Sequence, residues 1–230
     1  MSKVLILEDE ESIRKFIKIN LKRAGYEIIE AKTGEEALDK SLDDNNIAVA
    51  ILDVMLPGID GFKVCKELRK KSKEIGIIIL TAKSQELDKI TGLSIGADDY
   101  ITKPFSPSEL VARVDALYRR VDLLQKDKPE DFTNGSFRVD NKGRKIYKDN
   151  KILDLTPIEY DLMNLFLTKS NNALSRNDIL DEVWGKNYFG NYKSVDVNIR
   201  RLRQKIEDDP SHPKHIETVW GYGYRWKTND

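Results

Sequence analysis

The stretch Ile47–Gly61, IAVAILDVMLPGIDG, constrains this chain more than any other. An unbroken apolar run ends on one acid, Asp53, and Pro57-Gly58 then turns the chain. Apolar residues without alternation mark a strand covered on both faces, as in a parallel sheet. In open α/β sheets, ligands gather at the carboxyl ends of the strands. Asp53 therefore stands where a strand delivers a side chain into such a crevice. Strand patterns at Lys3–Leu7, Tyr26–Glu30, Gly76–Thr81 and Tyr100–Thr102 surround it. Helical spacing separates them, from Ser12 to Ala24, Thr33 to Asp43, Gly61 to Lys71, Gln85 to Gly96 and Ser106 to Arg120. That rhythm predicts an α/β unit, a doubly wound five-stranded parallel sheet. Neither GxGxxG nor GxxxxGK[ST] occurs, which argues against a nucleotide-binding variant.

The length, 230 residues, suits two ordinary domains. No run approaches the ~18 apolar residues that span a bilayer. The opening MSKVLILEDE turns acidic too soon for a secretory signal, and the single cysteine, Cys65, excludes an internal disulfide. The expected location is cytoplasmic. Zero net charge conceals an asymmetry: residues 1–133 hold 22 basic and 25 acidic residues, residues 134–230 hold 17 and 14. An acidic module followed by one tolerant of polyanions is the expectation.

Collecting the strand ends gives Glu8 and Asp9, Asp53, Thr81 and Lys103. Singly, each has an ordinary reading as a helix start, a turn hydroxyl or a loop lysine. Together they fall at one end of one predicted sheet. Three carboxylates in one crevice repel unless a cation neutralises them, and all-oxygen ligation suits Mg²⁺. A lysine and a hydroxyl opposite the metal are what a phosphoryl group needs. An Asp carboxylate can itself be the nucleophile, giving an aspartyl phosphate.

Beyond Val121–Thr133, where Pro129 and mixed charge suggest a tether, the pattern changes. The expected division is 1–121, a linker at 122–133, and 134–230. Ser136–Val139, Lys145–Lys148 and Lys151–Leu155 read as hairpin strands. Thr156-Pro157-Ile158-Glu159 opens a helix with a capping box, and Ser175–Val183 is a second helix. In a third, Ser194–Ile206, Val195, Ile199, Leu202 and Ile206 form an apolar stripe. Asn198, Arg201 and Lys205 line another face, with Arg200, Arg203 and Gln204 beside it. Such side chains can read purine edges in a major groove. Ile216–Val219 and Tyr224–Trp226, around Gly221-Tyr222-Gly223, then form a wing after a helix-turn-helix. His212 and His215 lack the further ligands of a metal site and read as loop histidines.

ILEDE, ILDVMLPGIDG, ILTAK and GADDYITKPFSPSEL resemble the receiver domain of two-component response regulators. The resemblance implies a flavodoxin-like fold in which Asp53 takes phosphate from a sensor histidine kinase. It implies Mg²⁺ held by Glu8, Asp9, Asp53 and the Met55 carbonyl, and a switch through Thr81 and Tyr100. Lys103 would contact the phosphate, and Lys103-Pro104 would be cis, although X–Pro is cis in only ~5–6% of cases. Lys89, Asp98, Asp99, Glu109, Arg113 and Arg120 match ion pairs of activated homodimers. Lys89 would face Glu109, Asp99 face Arg113, and Asp98 face Arg120 across a two-fold.

LTPIEYDLMNLF, LSRNDILDEVWG, SVDVNIRRLRQKI and ETVWGYGYRW resemble the winged-helix effector of OmpR/PhoB-type regulators. On that resemblance Val197, Asn198, Arg201 and Arg200 are base-edge candidates. Lys193, Ser194, Arg203, Thr218 and Tyr224 are phosphate-backbone candidates. Trp220 stands where many members carry an arginine that enters the minor groove. The loop Gly185–Tyr192 matches one that touches RNA polymerase in some members. The implied whole is a DNA-binding regulator, not an enzyme, whose phosphorylated dimer binds tandem promoter half-sites. One competing reading is a metal-dependent phosphatase using Asp53; such haloacid-dehalogenase-like sites want a second Asp where this chain has Met55. Another makes the second half a protein-interaction module.

Overall fold

The computed structural model describes residues 3–44, 46–72, 74–82, 96–122, 130–185, 188 and 192–228. The chain divides into two compact units, residues 1–122 and 123–230.

The first unit runs β1 (Lys3–Leu7), α1 (Glu11–Arg23), β2 (Glu27–Ala31), α2 (Gly34–Asp43), β3 (Ile47–Asp53), α3 (Gly61–Lys71), β4 (Gly76–Ala82), β5 (Asp99–Lys103) and α4 (Pro107–Asp122). The strands are parallel in the order β2-β1-β3-β4-β5, so winding reverses between β1 and β3 and opens a crevice there. Every residue of β3 is buried, as its unbroken apolar run requires. α1 packs beside α4, and α2 beside α3. Burying aliphatic side chains of this size stabilises by about 1.5–3 kcal/mol each. Asp60 caps α3 by accepting from the Lys63 N–H at 2.7 Å. A Cβ on Gly61 would lie 2.0 Å from the Asp53 carbonyl oxygen, so glycine is what lets α3 start against the end of β3. The expected helix from Gln85 falls on residues 83–95, outside the described residues.

The second unit runs β6 (Phe132–Asn134), β7 (Phe137–Asp140), β8 (Lys145–Lys148), β9 (Lys151–Ile152), α5 (Pro157–Thr168), β10 (Ala173–Ser175), α6 (Arg176–Val183), α7 (Tyr192–Ile206), β11 (Ile216–Val219) and β12 (Gly223–Trp226). An antiparallel sheet β6-β7-β8-β9 precedes the helices, and a second sheet, β10-β12-β11, follows them. The expected capping box is present: the Thr156 N–H donates to Glu159 Oε2 at 2.8 Å, and Thr156 accepts in return. Val195, Ile199, Leu202 and Ile206 are buried, and α7 packs on α5 and α6.

Two strands differ from expectation. Residues 132–133, placed in the linker, belong to β6, where Phe132 pairs with Val139. β10 completes the wing sheet by pairing Leu174 with Tyr224. Both strands are three residues long. That is too short for a period of two to show in the sequence.

Candidate functional site

Two strand ends of the first unit deliver acids to one place. Glu8 and Asp9 follow β1, Asp53 ends β3, and one carboxylate oxygen from each lies within 4.8 Å of the others. Glu8 and Asp53 are buried, while Asp9 is exposed. Lys103, at the end of β5, reaches between them: Nζ donates to Glu8 Oε2 at 2.8 Å and to Asp53 Oδ2 at 2.9 Å. Burial pushes the Glu8 carboxyl up from its ordinary range; the Lys103 hydrogen bond opposes this and the Asp53 charge adds to it. Burial, the largest single influence on Lys103, pulls its ammonium down, but the bonds to Glu8 and Asp53 together outweigh it and hold it raised. Two buried acids thus share one ammonium. The donor set, all carboxylate oxygen, fits a hard divalent cation.

Thr81 is buried on β4, paired in register with Thr102, and Tyr100 is buried on β5. Met55 turns its side chain to solvent. Lys103–Pro104 is cis, as the resemblance implies. Arg14, unremarked in the sequence, is buried and organises the acid loop: Nη1 donates to the Glu8 and Asp9 carbonyls at 2.8 and 3.0 Å. The available signal was a cation at helical spacing beside Ile17 and Leu21. A cavity of about 440 Å³ adjoins the pocket, lined by Ser12, Ile13, Phe16, Lys103, Pro104 and Phe105. Phe16, on α1, is exposed there.

The described ions of the expected dimer face have partners within the chain. Asp98 is fully buried and accepts from Arg69 Nη2 at 2.7 Å and the Ile77 N–H at 2.8 Å. Arg113 is buried too; its Nη1 donates to both Asp99 oxygens at 2.9 Å and its Nη2 to Glu109 at 2.8 Å. These ions are paired within one chain, because a buried charge without a partner costs several kcal/mol. The expected pairing of Asp98 with Arg120 across a two-fold would require Asp98 to leave these internal partners. Lys89 and the Arg120 side chain lie outside the described residues.

In the second unit the buried sector of α7 is wider than its apolar stripe. Ser194, Asn198 and Arg201 each precede a stripe residue by one position, and all three are buried. Asn198 is fully enclosed, its Nδ2 donating to the Ser194 carbonyl at 2.8 Å. Lys205 turns back to Glu159 at 2.5 Å. Arg203 binds the Ile216 carbonyl at 2.6 Å and Thr218 Oγ1 at 2.9 Å, joining α7 to β11. Tyr224 is buried, its hydroxyl donating to Asp196 Oδ1 at 2.8 Å. Burial first, and then this bond, push that hydroxyl up to about 12. Arg176 Nε donates to the same Asp196 oxygen at 2.7 Å, which links α6, α7 and β12. Of the expected DNA contacts, Ser194, Asn198, Arg201 and Tyr224 are buried and Arg203 is half-buried. Lys193, Arg200 and Gln204 are exposed, with half-buried Val197 between them. Their spacing of four, three and four residues makes one outward stripe.

These two sites define a class: an acid pocket on a doubly wound sheet, in a chain that goes on to a winged helix. Family models agree with both units. "Response regulator receiver domain" matches residues 4–115, and "Transcriptional regulatory protein, C terminal" matches residues 149–226. "Probable transcriptional regulator ycf27" of Cyanidium caldarium is 46% identical over 231 residues, covering 96% of this chain and 92% of the relative. "Uncharacterized transcriptional regulatory protein YrkP" of Bacillus subtilis (strain 168) is 42% identical, covering 97% of each. Among solved structures, the response regulator DrrB, described as a Thermotoga maritima OmpR/PhoB homolog, aligns over 99% of each chain at 30% identity and TM-score 0.51. The chain belongs to the two-component response regulators of OmpR/PhoB type, which act as transcription factors. No helix among the described residues is long and apolar enough to cross a membrane.

Proposed function

We propose that Asp53 is the phosphoacceptor and that its phosphorylation controls DNA binding by the second unit. The observation that carries this reading is the buried Glu8–Asp53 pair with Lys103 spanning both. An Asp53 oxygen attacks the phosphorus of a phosphohistidine on a sensor histidine kinase. The P–N bond breaks and its electron pair returns to the imidazole. Glu8, Asp9, Asp53 and the Met55 carbonyl would hold Mg²⁺, which supplies charge neutralisation to the transferring group. Lys103 neutralises another phosphoryl oxygen, and Thr81, with Tyr100 behind it, responds to the new group. The cavity beside Phe16 and Phe105 lies next to the acceptor, a fitting seat for the donor's apolar surface.

Activation promotes a homodimer in the cytoplasm that occupies tandem promoter half-sites. Glu109 and Arg113, with Asp99, Lys89 and Arg120, form its face; Arg113 exchanges an internal partner for one across the two-fold. On DNA, α7 enters the major groove through the outward stripe of Lys193, Val197, Arg200 and Gln204. Arg201 joins these only by leaving its buried seat. Thr218, on β11, stands at the backbone side, and the loop Gly185–Tyr192 remains a candidate contact for RNA polymerase. Incubation with a small-molecule phosphodonor and Mg²⁺ tests the acceptor. One phosphoryl group per chain is expected in the wild type and none in Asp53→Asn; undiminished labelling of the variant refutes the assignment.

A further inference from the structure

We propose that Arg14 is a positioning residue for the metal-binding acids: its buried guanidinium fixes the Glu8–Asp9 main chain and so sets the affinity of the pocket for Mg²⁺. The proposal rests on the reading that Glu8, Asp9 and Asp53 hold Mg²⁺.

Arg14 lies on the inner side of α1 with Ile17 and Leu21 and is 6% exposed. The other cations of the helix, Lys15, Lys22 and Arg23, are exposed, and Lys18 is half-buried. A charge taken out of water is costly unless hydrogen bonds replace its solvation. Those bonds go to the acid loop: Nη1 donates to the carbonyls of two consecutive residues, Glu8 at 2.8 Å and Asp9 at 3.0 Å. On the other side, Nε lies 3.7 Å from Glu30 Oε2 on β2. Lys18 binds the same carboxylate, and Lys40 Nζ donates to the Glu30 carbonyl at 2.5 Å. The Glu8 N–H donates to the Ala31 carbonyl at 3.2 Å. Arg14 thus bridges the acid loop and β2.

The start of α1 lacks the anchor its neighbours have. Thr33 and Asp60 cap α2 and α3 by accepting from the Glu36 and Lys63 N–H groups, whereas Glu10, at the same position of α1, makes no side-chain cap bond. Arg14, one turn further on, holds the loop instead.

The loop needs holding. Glu8, Asp9 and Asp53 bring carboxylate oxygens within 4.8 Å of one another, and their charges repel. A tether on main-chain carbonyls resists that repulsion without occupying any carboxylate oxygen. Lys103 differs, because it bonds the Glu8 and Asp53 carboxylates themselves. The two cations therefore act on Mg²⁺ in opposite senses, Lys103 as a competitor and Arg14 as an anchor. Removing a group that orients metal ligands typically weakens metal binding about ten- to a hundredfold.

Arg14→Met keeps a buried apolar stem and removes the donors. Calorimetric titration of Mg²⁺ into the full chain, with no phosphodonor present, is expected to show binding about tenfold weaker than wild type. With a small-molecule phosphodonor, the Mg²⁺ concentration for half-maximal phosphorylation rate is expected to rise by the same factor, while the rate at saturating Mg²⁺ stays near wild type. A residue serving only the stability of α1 would lower the unfolding temperature and leave both Mg²⁺ readings unchanged. Arg14→Lys keeps the charge but not the planar fork, and is expected to bind Mg²⁺ with an affinity between the two. It decides the matter should the methionine variant not fold. Wild-type Mg²⁺ affinity in the deciding variant overturns the proposal, as does a rate that saturating Mg²⁺ fails to restore. A wild-type chain that binds no Mg²⁺ overturns both the proposal and the metal reading beneath it. One that binds Mg²⁺ but takes no phosphate on Asp53 refutes the phosphoacceptor reading alone.

Discussion

Lys103 holds Glu8 and Asp53 together through carboxylate oxygens that a divalent cation would also use. Removing the ammonium leaves two buried carboxylates whose mutual repulsion a metal or a proton must relieve. Lys103→Ala should therefore bind Mg²⁺ about tenfold more tightly while accepting phosphate more slowly. Calorimetric Mg²⁺ titration and a phosphorylation time course check the two halves; weaker metal binding would contradict the competition. Glu8, Asp9, Asp53 and Lys103 were legible because parallel strands deliver their ends to one edge. Arg14 was not, since its bonds run to backbone carbonyls, which leave no residue pattern.

Among the elements, the second unit shows where periodicity stops informing. The apolar stripe of α7 marks the buried side, but not its width. Asn198 and Arg201, one position off the stripe, are enclosed, and the outward stripe passes instead through Lys193, Val197 and Arg200. Arg200→Ala should relax base preference and cost about 1–3 kcal/mol in specific binding. Selection from a randomised site library measures it, and an unchanged preference removes Arg200 from the reading face.

His215 belongs to the same scale. Its ring stacks on Trp226 at 5.2 Å and meets Phe137 edge-on at 5.1 Å. Burial holds its pKa below the ordinary value, with Glu207 opposing. The unfolded chain then takes up the proton first. The contribution to stability is present above about pH 6.5 and is lost as pH falls toward the depressed folded value. Thermal unfolding of the second unit should shift to lower temperature from pH 7.5 to 5.5. His215→Phe should reduce that shift; an identical pH dependence in the variant would remove the histidine from the account.

For the whole molecule, the two-unit organisation was readable from the change of rhythm near residue 121. The short strand β6 did not announce itself there, because three residues are too few to show a period of two. Charges clustered on neighbouring elements look available in a sequence, yet where they are buried they also pair within the chain. Asp98 with Arg69, and Asp99 with Arg113, show this. If Arg113 exchanges partners on activation, phosphorylated wild type should sediment as a dimer. Arg113→Ala should remain monomeric under the same donor, and dimers formed equally well without the arginine would contradict the exchange.

On the proposed function, phosphate on Asp53 governs the DNA affinity of the winged helix in the second unit. Binding of one footprinted promoter fragment, titrated with and without phosphodonor and Mg²⁺, measures it directly. Wild type should bind severalfold more tightly with donor, and Asp53→Asn should bind the same with or without it. Equal affinities in all four titrations, or a donor effect that survives in Asp53→Asn, would contradict the account.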